Sequence, residues 1–115
     1  MCMMLPKAVE ALSALAHAHR LAVFRLLVRA GTDGLPAGEV AREVGVLPNT
    51  LSTHLTILGH AGLIRSRREG RSIIYSADYD GMRDLLGFLV ADCCGGRPEI
   101  CAPLVEAAQG CGRAA

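Results

Sequence analysis

The sequence predicts a mainly α fold of the winged helix-turn-helix class, with about five helices and a two-stranded β-hairpin. Three observations carry this. Helix formers such as Ala, Leu, Glu and Arg dominate the 115 residues while aromatics supply only 3%, so packing must come from aliphatic side chains on helices more than from a broad sheet. A short helix and a proline-initiated helix follow one another across a tight turn at Gly45. Directly after them, "LIRSRREGRSIIYS" supplies two extended arms.

Pro6 opens a first helix with Val9, Leu12, Leu15 and Ala16 at three- and four-residue steps. Leu21, Phe24, Leu27 and Val28 repeat the pattern, and Gly31 supplies a stop, so two helices precede residue 32. "GTDGLP" reads as a loop. "AGEVAREVG" places Ala37, Val40, Ala41 and Val44 on one face of a short helix ending at Gly45. Pro48 then starts "PNTLSTHLTILGHAG", with Leu51, Leu55 and Leu58 at i, i+4 and i+7. The arms Ile64 to Arg68 and Arg71 to Ser76 are joined through Glu69-Gly70. A last amphipathic helix follows, with Met82, Leu85, Leu86, Leu89 and Val90 apolar, broken at Gly95-Gly96. The tail from Pro98 holds material for one further helical turn.

At 51% apolar residues the chain has enough for one modest core. Lys7, Glu10, His17 and Arg20 interrupt the first apolar run well before it reaches spanning length, and no basic leader precedes it; neither a targeting nor a membrane-spanning segment is expected there. Five cysteines, two of them adjacent, make a poor disulfide framework and suit a reducing compartment, so the expected location is cytoplasmic.

The net charge of +1 conceals an uneven distribution. Arg42, Arg65, Arg67, Arg68 and Arg71 face only Glu43 and Glu69 between residues 42 and 71, whereas residues 78 to 106 are acidic. A local basic patch engages a polyanion whatever the total charge. Opposite its leucines, the helix from Pro48 carries Asn49, Thr50, Ser52, Thr53 and Thr56, short polar groups that donate to and accept from base edges and phosphates. Beside it, Arg65, Arg67, Arg68 and Arg71 concentrate positive charge on the hairpin, where each phosphate neutralised releases counterions. His54, taken alone, reads as a packing residue or a phosphate contact.

"ALAHAHRLAVFRLLVRAG", "VLPNTLSTHLTILGHAGLI" and "RSRREGRSIIYS", in that order, resemble the ArsR/SmtB family of winged-helix metal-sensing repressors over roughly residues 8 to 91. The resemblance implies a homodimer that sits on double-stranded operator DNA and leaves when an inducer binds, with dimer contacts from the first and last helices. By position it implies base and phosphate contacts at Asn49, Thr50, Ser52 and Thr53 and a wing of Arg67, Arg68 and Arg71. Leu47 and Pro48 stand where many members have a polar cap and a glutamine. Residues 1–96 are then a DNA-binding and dimerisation domain, and residues 97–115 a tail that contributes Cys101. A dimer also follows from size: one recognition helix reads too few bases for a tight specific site, whereas two related by a twofold read half-sites about one helical turn apart.

"DCCGGRPEIC" holds Cys93, Cys94 and Cys101. Adjacent residues on a regular helix point about 100° apart, so the two neighbours converge only if Gly95-Gly96 ends the helix and turns the chain back. Thiolates select soft ions. Zinc takes four ligands and its structural sites use paired C-x-x-C spacing, so three thiols fit a pyramidal trivalent arsenic or antimony centre better, and no structural metal is expected. The resemblance sharpens this: the cysteine pair common to arsenic-responsive members is missing from "AGEVAREVG", the last helix lacks the histidine of zinc sensors, and some arsenic-responsive members carry thiols where Cys93, Cys94 and Cys101 stand. As(III), as arsenite, is the leading inducer, with Sb(III) and methylarsenite beside it. A thiol-oxidation switch in the same fold and a small thiol enzyme acting on arsenic oxyanions are the alternatives; the second lacks a base near the thiols, and the expectation is a non-enzyme.

Overall fold

The computed structural model describes residues 4–90. Five helices and three strands follow one another: α1 (Leu5–Leu15), α2 (Ala18–Ala30), β1 (Leu35–Pro36), α3 (Ala37–Val44), α4 (Pro48–His60), β2 (Ile64–Glu69), β3 (Ser72–Ala77) and α5 (Tyr79–Val90). The five helices and both hairpin arms are present, while the expected break at Gly95-Gly96 and the helical turn of the tail lie outside the described residues. The segment read as a loop adds one feature, because Leu35 and Pro36 pair with Tyr75 and Ile74 and make a short third strand. The sheet is antiparallel throughout, in the order β1-β3-β2. Two residues are too few to show an alternating pattern, so β1 has no signal of its own.

Local chemistry places the helix ends. Proline occupies the first turn of α1 and of α4, where its missing N–H costs nothing. Gly45 closes α3 in the left-handed conformation, opening the turn into α4. α1 and α2 meet at a bend of 99°. There His17 is extended and its Nδ1 accepts from the His19 N–H at 3.1 Å, capping α2, while Arg20 Nε donates to the Ala14 carbonyl at 2.6 Å and satisfies the end of α1. No single helix among the described residues is long and apolar enough to cross a membrane.

The core is one cluster drawn from every helix and from the base of the hairpin. Leu27, Leu51, Leu58 and Leu63 are its largest fully buried side chains, each contributing about 1.5–3 kcal/mol by leaving water. α4 buries the three leucines its spacing predicted. α1 does not follow its leucine spacing: it buries Ala8, Ala11 and Ala14 and leaves Val9 and Leu12 at 52% and 42% exposure. Alanines let α1 lie close to α2 and α4, so the larger aliphatic stripe is turned outward. On α5 only Leu85 is buried, and Leu86, Leu89 and Val90 stay exposed.

One long-range hydrogen bond and one local contact fix the start of α5. Tyr79 Oη donates to the Val28 carbonyl at 2.9 Å, and the Asp78 carboxylate accepts from the Gly81 N–H at 3.0 Å. The first turn of α5 runs directly against the backbone of Gly62, so close that a Cβ at position 81 would collide with the Gly62 carbonyl. Glycine is the residue that permits this approach.

Candidate nucleic-acid interface

α3 packs on α4, and the leucines of α4 point inward. The opposite side of α4 presents Asn49, Thr50, Ser52, Thr53 and Thr56, all exposed, with no charged residue among them. Thr56 Oγ1 donates to the Ser52 carbonyl at 3.0 Å, so its proton is committed to the helix backbone and its lone pairs remain free to accept. Leu47, 74% exposed, caps α4 without a side-chain hydrogen bond. The first N–H groups of α4 therefore have no side-chain acceptor from the cap residue, which leaves the helix start open to an anion such as a phosphate.

The outer strand of the hairpin faces solvent. In β2 only Ile64 is buried, and Arg65 to Glu69 are exposed on both faces. Glu69 pairs with Ser72, leaving Gly70 and Arg71 as a two-residue loop; Gly70 has φ 62, the positive value that a tight hairpin turn needs at its first position. Strand alternation puts Arg65 and Arg67 on one face and Arg68 on the other, with Arg71 at the tip.

The four arginines are not equivalent. Arg67 Nε donates to Glu69 at 2.8 Å, and its terminal nitrogens donate to the Thr32 and Asp33 carbonyls at 3.3 and 2.7 Å. This guanidinium holds the hairpin to the loop between α2 and β1. Arg65, Arg68 and Arg71 make no ion pair among the described residues and remain available to a polyanion. The structure thus brings the polar helix face and three free cations together on one molecule. Cys93, Cys94 and Cys101 lie outside the described residues.

His54 is on the inner side of α4, 7% exposed, which rules out the phosphate contact and leaves packing. It is not alone there. Its ring lies 4.7 Å from that of His17 and 5.7 Å from that of His19. Its Nδ1 is buried without a hydrogen-bond partner. Burial lowers the His54 pKa from its ordinary 6.5, and the nearby His17, Arg20 and His19 push in the same direction. "AHAHR" carried the only local signal for this group, two histidines at i and i+2, and it meant little until the fold brought the third beside them.

A helix-turn-helix domain family model matches residues 15–67. The HTH-type transcriptional regulator YgaV of Escherichia coli is 31% identical over 83 residues, covering 72% of this chain and 82% of YgaV. The nodulation protein NolR of Rhizobium meliloti is 35% identical over 78 residues, 68% of this chain and 62% of NolR; the chain thus spans less than two thirds of that relative. Among solved structures, the homodimeric winged helix-turn-helix DNA-binding domain of Mb0332 from Mycobacterium bovis, a candidate ArsR-family regulator, superposes with a TM-score of 0.62 at 30% identity, covering 76% of this chain and 81% of that one.

Proposed function

The chain belongs to the winged helix-turn-helix transcriptional regulators of ArsR-like type, and from that membership we propose that it is a dimeric repressor whose operator is released when trivalent arsenic binds a thiolate site. The observation that carries the DNA-binding half is the pairing of an exposed, uncharged polar face on α4 with Arg65, Arg68 and Arg71 on the adjoining hairpin. Neutral short side chains suit base edges, and the free guanidiniums suit phosphates on either side.

Dimerisation is supported by surface that one copy leaves uncovered. α1 packs against α5, and the two helices expose Leu5, Val9, Leu12, Leu86, Leu89 and Val90. Apolar groups concentrated on two neighbouring helices favour a self-complementary contact about a twofold. Such a contact would present two α4 helices to successive turns of one duplex face. The homodimeric Mb0332 domain, with the same fold, supports this reading.

The inducer half rests on thiol chemistry. Cys93, Cys94 and Cys101 supply three soft donors around Gly95-Gly96, a number that suits a pyramidal As(III) centre. They follow α5, one of the two helices assigned to the dimer contact, so ion binding would act on the angle between the two DNA-reading helices without blocking the groove. The inducer needs only preferential binding to the DNA-free arrangement; couplings of about 1–3 kcal/mol lower operator affinity roughly 5- to 150-fold. YgaV is an HTH-type transcriptional regulator, which favours this role over a thiol enzyme.

The test is fluorescence anisotropy on DNA from the protein's own promoter, titrated with arsenite, zinc and peroxide in turn. Arsenite should release the DNA, and Cys93→Ser should keep binding while abolishing that release. Release by peroxide alone would instead assign the thiols to oxidation sensing, and release that persists without all three thiols would remove the arsenic site.

A further inference from the structure

His17, His19 and His54 come from the start of α2 and the middle of α4, and one ring nitrogen from each lies within 4.8 Å of the other two. None of them belongs to the polar stripe of α4 or to the cysteine set. We propose that this trio is a second metal site, binding one divalent first-row transition ion of the imidazole-preferring class, zinc foremost, with water completing its shell.

The donor set selects the ion. Three imidazoles suit zinc, cobalt, nickel or copper, whereas magnesium and calcium require oxygen ligands. Three histidines with an open fourth position is an established zinc arrangement. Zinc–nitrogen bonds of about 2.0–2.1 Å in a tetrahedron put ligand atoms roughly 3.3–3.4 Å apart, so the trio must tighten. His17 and His19 are exposed and free to rotate inward, while His54 is held by the core. The fixed member is also the one with an unmet need: a buried ring nitrogen without a partner is uncommon, and a metal bond or the ion's own water would satisfy it.

His17 makes the site conditional. A neutral imidazole has a single lone pair for acceptance, and in this structure His17 Nδ1 uses it to cap the His19 N–H. Coordination by His17 therefore exchanges that hydrogen bond for a metal bond. Arg20 is fastened to Ala14, and its charge opposes a dication, so the three bonds and not net charge must hold the ion. A loaded site would tie the first turn of α2 to the inner side of α4 while leaving the polar outer face open. This goes beyond the arsenite reading and shares no residue with it.

The experiment uses the full chain carrying Cys93→Ser, Cys94→Ser and Cys101→Ser, so that the thiols proposed for arsenic cannot contribute. Cobalt(II) should give a saturable visible ligand-field band at one ion per chain, without the near-ultraviolet charge transfer of a thiolate. Zinc should raise the melting temperature, and a chelator should reverse it. Adding His17→Asn and His19→Ala, the first keeping a capping side chain, should preserve the circular dichroism spectrum. The same pair should weaken cobalt binding about 10-fold or more, since removing even an outer-shell partner typically costs about that much. A missing band in the triple-serine chain, or unchanged affinity in the histidine variant, would overturn the site. Neither result bears on arsenite-driven operator release, which is read by anisotropy with the thiols intact.

Discussion

Arg67 Nη2 donates to the Asp33 backbone carbonyl at 2.7 Å, so a guanidinium expected on the DNA is fastened to the loop before β1. Arg68 and Arg71 have no such anchor among the described residues. Arg68→Ala and Arg71→Ala should each lower the slope of log affinity against log salt by about 0.9 for every phosphate no longer neutralised. Arg67→Ala should leave that slope nearly unchanged and lower stability by about 1 kcal/mol, the scale of a partly exposed hydrogen-bond set. Salt-titrated anisotropy and thermal melts on the three variants separate these outcomes.

On α4, Asn49→Ala and Thr53→Ala should each weaken operator binding by about 1–3 kcal/mol while hardly changing affinity for random duplex, because base contacts discriminate and phosphate contacts do not. Thr56→Val should cost less, its hydroxyl proton already being given to Ser52. Equal losses on operator and random DNA would remove these side chains from base recognition.

Stability should depend on pH through His54. Its folded pKa lies below the unfolded 6.5, chiefly because burial disfavours the charged ring, with His17, Arg20 and His19 adding to the effect. The unfolded chain then binds the proton more readily, so the full stability is present above 6.5. It declines as pH falls toward the lowered folded value and levels off below it. Melting temperatures in chelator between about pH 8 and about pH 5 should show this decline, and His54→Leu should flatten it.

Gly81→Ala should destabilise the protein by about 1–3 kcal/mol, the usual range for overpacking, because the new methyl group meets backbone at Gly62 and not a side chain that could turn aside. Gly87→Ala, with nothing within 4 Å, is the matched control on the same helix and should be neutral or slightly stabilising. Denaturant unfolding of both variants reads the difference.

Most of the fold was legible because its signals are local. Pro48, Leu51, Leu55, Leu58 and the glycine at 45 specify α4 and the turn before it within one short stretch, and the structure keeps those positions. The polar stripe was legible for the same reason, being what remains of a helix once its leucines are assigned. The faces of α1 were harder: alanine and leucine both count as apolar, and only close approach to α2 and α4 favours Ala8, Ala11 and Ala14 for the inside. β1 was missed because its order comes from β3, about 40 residues on.

Periodicity, turn residues and charge placement, all properties of neighbours along the chain, were enough to establish the order of the helices and the hairpin arms and the chemistry of the candidate DNA-facing surface. The allocation of Arg67 to Asp33 across 34 residues, and the meeting of His17 and His19 with His54, belong to tertiary structure. Both require distant segments to be adjacent, and that adjacency follows from how the helices pack and not from any one segment's own preferences.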